Sequence, residues 1–180
     1  TPGYQPMCKR QVMAGHFYRS VQKPGVEVIT DPIDHIESRG VVTAGGTLHE
    51  LDLLVFATGF DARAYVRPME VIGEGGLRLD DAWADGPIAY RSIAVPGFPN
   101  LFMMMGPHSP IGNQSLIPIA EDQADYVIWW IKQLRDGRVR AAAPTEEATK
   151  RYNADMKAAM PQTIWVTGCK SWYLGKDGLP

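Results

Sequence analysis

The apolar run Asp52-Leu53-Leu54-Val55-Phe56 breaks abruptly into Ala57-Thr58-Gly59-Phe60, and this change of character constrains the fold more than any other stretch. A continuous apolar run has no polar face to offer water, so as a strand it must be covered on both sides, as in a parallel sheet. A small residue, a hydroxyl and a glycine then predict a tight turn that faces a ligand. A core strand ending in Thr-Gly by chance would read the same way. With 180 residues and 45% hydrophobic content, the chain has enough material for one well-buried domain or two partial lobes.

Charge and composition exclude several function classes. The formal net charge is -2 and no Lys/Arg cluster stands out, so the electrostatic footprint for nucleic acid is missing. The apolar runs at 101–105 and 127–131 are far shorter than the roughly 20 residues that span a bilayer, and no leader pattern opens the chain. The expectation is a cytoplasmic protein with no membrane partner. Cys8 and Cys169 form no Cys-x-x-Cys and read as free thiols, although one bridge between them stays open. The histidines at 16, 35, 49 and 108 are too scattered to suggest a metal-ligand set.

Along the chain, Thr1-Pro2-Gly3-Tyr4-Gln5-Pro6 is turn-rich, carries no capping pattern and reads like the middle of a longer polypeptide. Met7-Cys8-Lys9-Arg10 follows, with a basic pair that surface exposure alone would explain. Helical and extended readings compete over residues 15–19. Short strands are predicted at 26–30, 33–38, 40–43 and 48–51, with Gly45-Gly46 as a turn. The last of these form a half-exposed ribbon against the sheet that carries residues 53–57. Residues 61–95 are hard to read. The cluster Gly73-Glu74-Gly75-Gly76 lacks the Gly-x-Gly-x-x-Gly spacing and opens no helix, so it predicts a turn rather than a phosphate loop.

Pro96-Gly97-Phe98-Pro99-Asn100 signals another turn, with a second apolar strand at 101–105 after it. A polar, glycine-containing loop at 109–115 then leads into a helix over 118–135. Ala120, Ala124, Val127, Ile128, Ile131 and Leu134 share one helical face, Pro118 suits the first turn, Glu121 and Asp122 suit the positive end, and Gly137 suits the stop. A strand, a polar loop and a helix start therefore meet, an arrangement that presents backbone N–H groups to a phosphate or a flavin edge as readily as it makes an ordinary connection. A second helix, lying on the surface, is predicted from the Thr145 cap to just before Pro161. The tail is dense in aromatics, Trp165, Trp172 and Tyr173, which either plug a core or face a planar ligand.

Phe56-Ala57-Thr58-Gly59-Phe60 resembles the Ala-Thr-Gly segment with which two-dinucleotide flavoenzymes close the NADPH domain. Together, Met7-Cys8-Lys9-Arg10, residues 53–62, residues 96–114 and residues 168–175 resemble, in order and approximate spacing, successive segments of the C-terminal part of the Baeyer-Villiger monooxygenases. These are FAD- and NADPH-dependent flavoproteins. The resemblance implies an α/β, Rossmann-like fold in which residues 1–58 end the NADPH-binding domain and 59–180 belong to the FAD-binding domain. It implies insertion of one oxygen atom from O2 into a ketone, or oxidation of a heteroatom, by way of a flavin peroxide.

Residue by residue, the resemblance makes Arg10 the catalytic arginine that stabilises the anionic oxygen adduct, a task for a permanent cation. Lys9 meets the NADPH 2'-phosphate. Thr58 and Gly59 lie near the flavin, Leu116 touches FAD through its main chain, and Trp172 covers the nicotinamide and substrate side, excluding water. No Gly-x-Gly-x-x-Gly is present for either nucleotide, the family's histidine-containing fingerprint is absent, and Met7 stands where glycine is usual. The fragment alone is therefore expected to be inactive, to bind neither cofactor tightly and to need the N-terminal part of such an enzyme. The alternatives are an N-hydroxylating or flavin-containing monooxygenase, or a non-catalytic binding module derived from one.

Overall fold

The computed structural model describes residues 5–7, 9, 11–61, 63–109, 115–168, 171 and 173–175. The chain divides into two compact units, Val12–Phe60 and the combination of Thr1–Gln11 with Asp61–Pro180.

In the unit Val12–Phe60, a short helix α1 (Phe17–Val21) precedes an antiparallel meander of β1 (Ile33–Glu37), β2 (Gly40–Thr43) and β3 (Leu48–Glu50). Glu37 pairs with Gly40, so only Ser38 and Arg39 turn the first hairpin. At Gly40 the neighbouring strand comes so close that an added Cβ would run into the His49 carbonyl oxygen. The second hairpin turns at Gly45-Gly46 as predicted, with Gly46 at φ +79° and the Gly45 N–H donating to the Asp31 carboxylate at 2.8 Å. Strand alternation shows on β2, where Val41 and Thr43 are buried while Gly40 and Val42 are half-buried. The predicted strand at 26–30 does not form.

The central expectation from the sequence fails here. Residues 51–60 form no strand, and Leu53, Val55 and Phe56 are 77%, 72% and 71% exposed. The ladder runs out one residue after β3, where the Leu51 N–H donates to the Arg39 carbonyl at 3.0 Å. A doubly buried strand needs a hydrogen-bonded neighbour on each side and cover on each face. Among the described residues no segment pairs with 52–57, so the ribbon has no such sheet to pack on.

In the other unit the core forms mainly in residues 65–95, the stretch that the sequence pattern left unread, and is completed from the predicted turn and strand at 96–105. Leu79, Trp83, Ala89, Val95, Phe98 and Met103 are buried together, with Tyr65, Val66, Val71, Ile88 and Leu101 packed around them. Burial pushes the Tyr65 phenol above its ordinary range, against the lowering pull of Arg63. The short helix α2 (Leu79–Ala82) carries Leu79 into this core, and the Trp83 indole N–H donates to the Ile88 carbonyl at 2.9 Å. Turns and single bridges hold the rest, Ile72 to Arg78, Tyr90 to Ala94 and Ala94 to Phe102. The predicted strand at 101–105 is reduced to that one bridge, because Asn100 and Met105 both take left-handed φ and bend the chain at either end.

The glycine cluster does form a turn, and it is a packing device. The Glu74 N–H donates to the Gly97 carbonyl at 2.8 Å, and the space a Cβ at Gly73 would need is filled by that carbonyl and the Phe98 ring.

Two long helices follow. The first, α3 (Ile117–Arg135), begins one residue before the predicted start and ends before Gly137, which takes φ +67°. Glu121 and Asp122 fall beyond its first turn, which carries no acidic residue. Of the predicted apolar face, Ala120, Ala124, Val127 and Leu134 are half-buried, whereas Ile128 and Ile131 are exposed. The second, α4 (Glu146–Ala159), is capped by Thr145, whose Oγ1 accepts from the Ala148 N–H at 3.1 Å. Its buried residues are polar: Asn153 Nδ2 donates to the carbonyls of Thr149 (2.8 Å) and Ala89 (3.2 Å), tying the helix to the core. In the tail, Tyr173 is buried with its ring edge-on to Trp165 at 4.7 Å, so this aromatic is packing rather than a ligand face.

Candidate functional site

Ahead of α3 in the chain lies a turn, Met105 to Ser109, whose conformation is costly and heavily tied down. Met105 and His108 take left-handed φ of +58° and +65°, which disfavours each by about 1 to 2 kcal/mol for a residue with a Cβ. Gly106 between them donates its N–H to the Ser92 carbonyl at 3.1 Å, and an added Cβ would lie 2.5 Å from that oxygen. Pro107 is fully buried, and the buried Ser109 hydroxyl donates to the Gly106 carbonyl.

From the other side, buried Gln123 of α3 accepts the Met105 N–H on its Oε1 at 2.8 Å. Three residues further along the helix, the Tyr126 ring lies 6.0 Å from the Arg91 guanidinium, next to Ser92. Backbone strain of this kind persists only where the surroundings over-determine it.

Leu116 is the N-cap of α3, half-buried, with φ -82° and ψ -11°, and its side chain makes no capping bond. Its carbonyl accepts the Ala120 N–H at 3.0 Å, and Ser115 Oγ accepts the Ile117 N–H at 3.2 Å. Thr58 and Gly59 belong to the unit Val12–Phe60, are exposed, and Gly59 takes φ +86° with nothing within 4 Å of the place a Cβ would occupy. Open backbone at a left-handed glycine is what close approach of a planar ring requires.

Lys9 is exposed and belongs, with Leu116, to the unit of Thr1–Gln11 and Asp61–Pro180. Arg10 and Trp172 lie outside the described residues, as do Cys8, Cys169 and most of the polar loop. The predicted set is thus divided between the two units.

Gln123 was not among the predicted residues. The signal for it is positional: it follows Ala120 by three and precedes Val127 by four, so it lies on the core side of an apolar helix, where a polar side chain must find a partner.

Taken each by itself, the open backbone at Gly59 and the main chain at Leu116 are compatible with the flat edge of a flavin. They do not fit a pyrophosphate, since the one dense glycine cluster is consumed in packing against Gly97 and Phe98. Among the described residues no group of three or more His, Cys, Asp or Glu could hold a metal ion, and no helix is long and apolar enough to cross a membrane.

Comparison with known proteins bears on the whole chain. It is 34% identical over 175 residues to a Baeyer-Villiger monooxygenase of Pseudomonas aeruginosa, covering 97% of this chain and 33% of that protein. The chain is related to the Baeyer-Villiger monooxygenases. An uncharacterized monooxygenase of Mycobacterium tuberculosis is 55% identical over all 180 residues, which make up 36% of its length. The fold agrees with cyclohexanone monooxygenase from Rhodococcus sp. Phi1 bound to NADP+ (TM-score 0.77, 33% identity, 93% of this chain and 35% of that one). It agrees also with OTEMO in complex with FAD and NADP (TM-score 0.81, 29% identity, 93% of this chain and 32% of that one).

The chain therefore spans about a third of the length of the relatives it matches. The α/β flavoprotein class expected from the sequence agrees with these neighbours, although the parallel strand expected at 52–57 is absent from this chain's own structure. No protein-family model matches the chain.

Proposed function

We propose that this chain is the C-terminal part of an FAD- and NADPH-dependent monooxygenase that inserts one oxygen atom from O2 into a ketone or oxidises a heteroatom. The observation that carries this reading is the end-to-end similarity to a Baeyer-Villiger monooxygenase, over 97% of the chain. Residues 1–58 close the NADPH-binding domain and 59–180 belong to the FAD-binding domain, in a cytoplasmic enzyme.

When bound, the flavin supplies the activated oxygen and NADPH the reducing hydride. The chain's own residues supply charge, contact and dryness. The Arg10 guanidinium, which keeps its charge at any working pH, would stabilise negative charge that develops on oxygen during the transfer. Lys9 meets the 2'-phosphate as a point charge, which favours NADPH over NADH. Gly59 lets the backbone after Thr58 approach the flavin ring, and Leu116 meets it through main-chain groups at the start of α3. Trp172 would cover the nicotinamide and substrate side and keep water out.

The test is Arg10→Ala in the longest natural protein that contains this chain. NADPH consumption persists and oxygenated product falls by about a hundredfold or more. Undiminished product from the variant would remove Arg10 from the chemistry.

A further inference from the structure

We infer that Gln123 is a positioning residue for the flavin. By accepting the Met105 N–H it locks the strained turn of Met105 to Ser109 against α3, and so fixes the main chain from which Leu116 meets the ring. The inference rests on the function proposed above and adds a residue to it.

Four observations combine. Gln123 is buried in the middle of α3 and spends its carbonyl oxygen on a backbone N–H outside the helix, 2.8 Å away. That N–H belongs to Met105, a non-glycine residue at φ +58° that needs an external hold to keep its conformation. The same turn is pinned on its other side by the Gly106 N–H to the Ser92 carbonyl, in a gap too tight for a Cβ. Gln123 lies seven residues after Leu116 on the same continuous helix, about 10 Å along its axis. A rigid helix with the turn bolted to it at Gln123 transmits the turn's position to Leu116 without flexible chain between them.

The chemistry needs glutamine in particular. An apolar side chain of the same length would leave the Met105 N–H without its partner, and the turn would relax away from left-handed φ. Glutamate keeps an acceptor oxygen at the same reach. Gln123 itself touches no cofactor in this scheme, so its effect is on where the ring is held rather than on any proton or charge in the reaction.

The experiment compares wild type, Gln123→Met and Gln123→Glu in the longest natural protein that contains this chain. Three quantities are read: Met105 amide hydrogen exchange, FAD affinity together with the visible flavin spectrum, and the melting temperature of the FAD-free protein. The inference predicts that Gln123→Met speeds Met105 exchange and weakens FAD binding, each by about tenfold, with a displaced flavin spectrum and a nearly unchanged melting temperature. Gln123→Glu stays within about threefold of wild type in both.

Unchanged Met105 exchange in Gln123→Met overturns the inference at the hydrogen bond. Faster exchange with wild-type FAD affinity and spectrum overturns the positioning role while leaving the proposed function standing. Equal loss of FAD from both variants with Met105 still protected also overturns it. A wild-type protein that binds no FAD overturns the proposed function, and the inference with it.

Discussion

Replacing Trp83 by alanine tests where this chain keeps its stability. Trp83 is 5% exposed, packs with Leu79, Ala89, Val95, Phe98 and Met103, and meets the Tyr65 ring edge-on at 5.7 Å. Removing so large a buried ring costs about 3 to 5 kcal/mol, through lost transfer energy and the cavity left behind. The Tyr65 contact accounts for about 1 kcal/mol of that. A second variant separates packing from polarity. Trp83→Phe keeps most of the ring but strips the Ile88 carbonyl of its indole donor, at a further cost of about 1 kcal/mol, so it lies between alanine and wild type. Urea unfolding followed by circular dichroism reads both differences. A shift below about 1 kcal/mol for Trp83→Ala would refute the reasoning, because a fully packed indole cannot be lost so cheaply.

Two further predictions use the same measurement. Phe56→Ser shifts the stability of this chain by less than about 0.5 kcal/mol, the range of exposed sites; a loss of about 3 kcal/mol or more would place Phe56 in a core after all. Thr145→Ala removes the cap that accepts the Ala148 N–H and costs about 1 kcal/mol, whereas Thr145→Ser restores it, and no change in either variant would contradict the capping geometry.

What could be read from the sequence was what repeats or caps. The extent of α3, the Thr145 cap of α4 and the Gly45-Gly46 hairpin each follow from local periodicity or a residue with special backbone freedom, and each is present, although Ile128 and Ile131 of the predicted α3 face are exposed. The core of Leu79, Trp83, Val95 and Phe98 escaped the same treatment because it is assembled from turns and single bridges, where no period exists to detect. Residues 52–60 misled for the opposite reason. Their composition is that of a doubly covered strand, but cover is a property of neighbours, and among the described residues no strand pairs with them.

The site divides in the same way. The helix start at Leu116 was legible from Pro118 and the apolar repeat, and Gly59 does take the left-handed turn its identity suggests. Gln123 was passed over because its spacing from Ala120 and Val127 puts it on the core side but does not name its partner, the Met105 N–H, which comes from another segment. The roles of Arg10 and Trp172 came from likeness to a family rather than from any local rule, and both lie outside the described residues.

The most direct test of the account is oxygen transfer itself. The longest natural protein containing this chain is purified, its visible spectrum is recorded, and it is given NADPH, isotopically labelled O2 and a cyclic ketone. The account predicts a flavin spectrum and a ring-expanded ester carrying one labelled oxygen for each NADPH consumed. A colourless protein, or one that consumes NADPH and releases only hydrogen peroxide across ketone and heteroatom substrates, would contradict it.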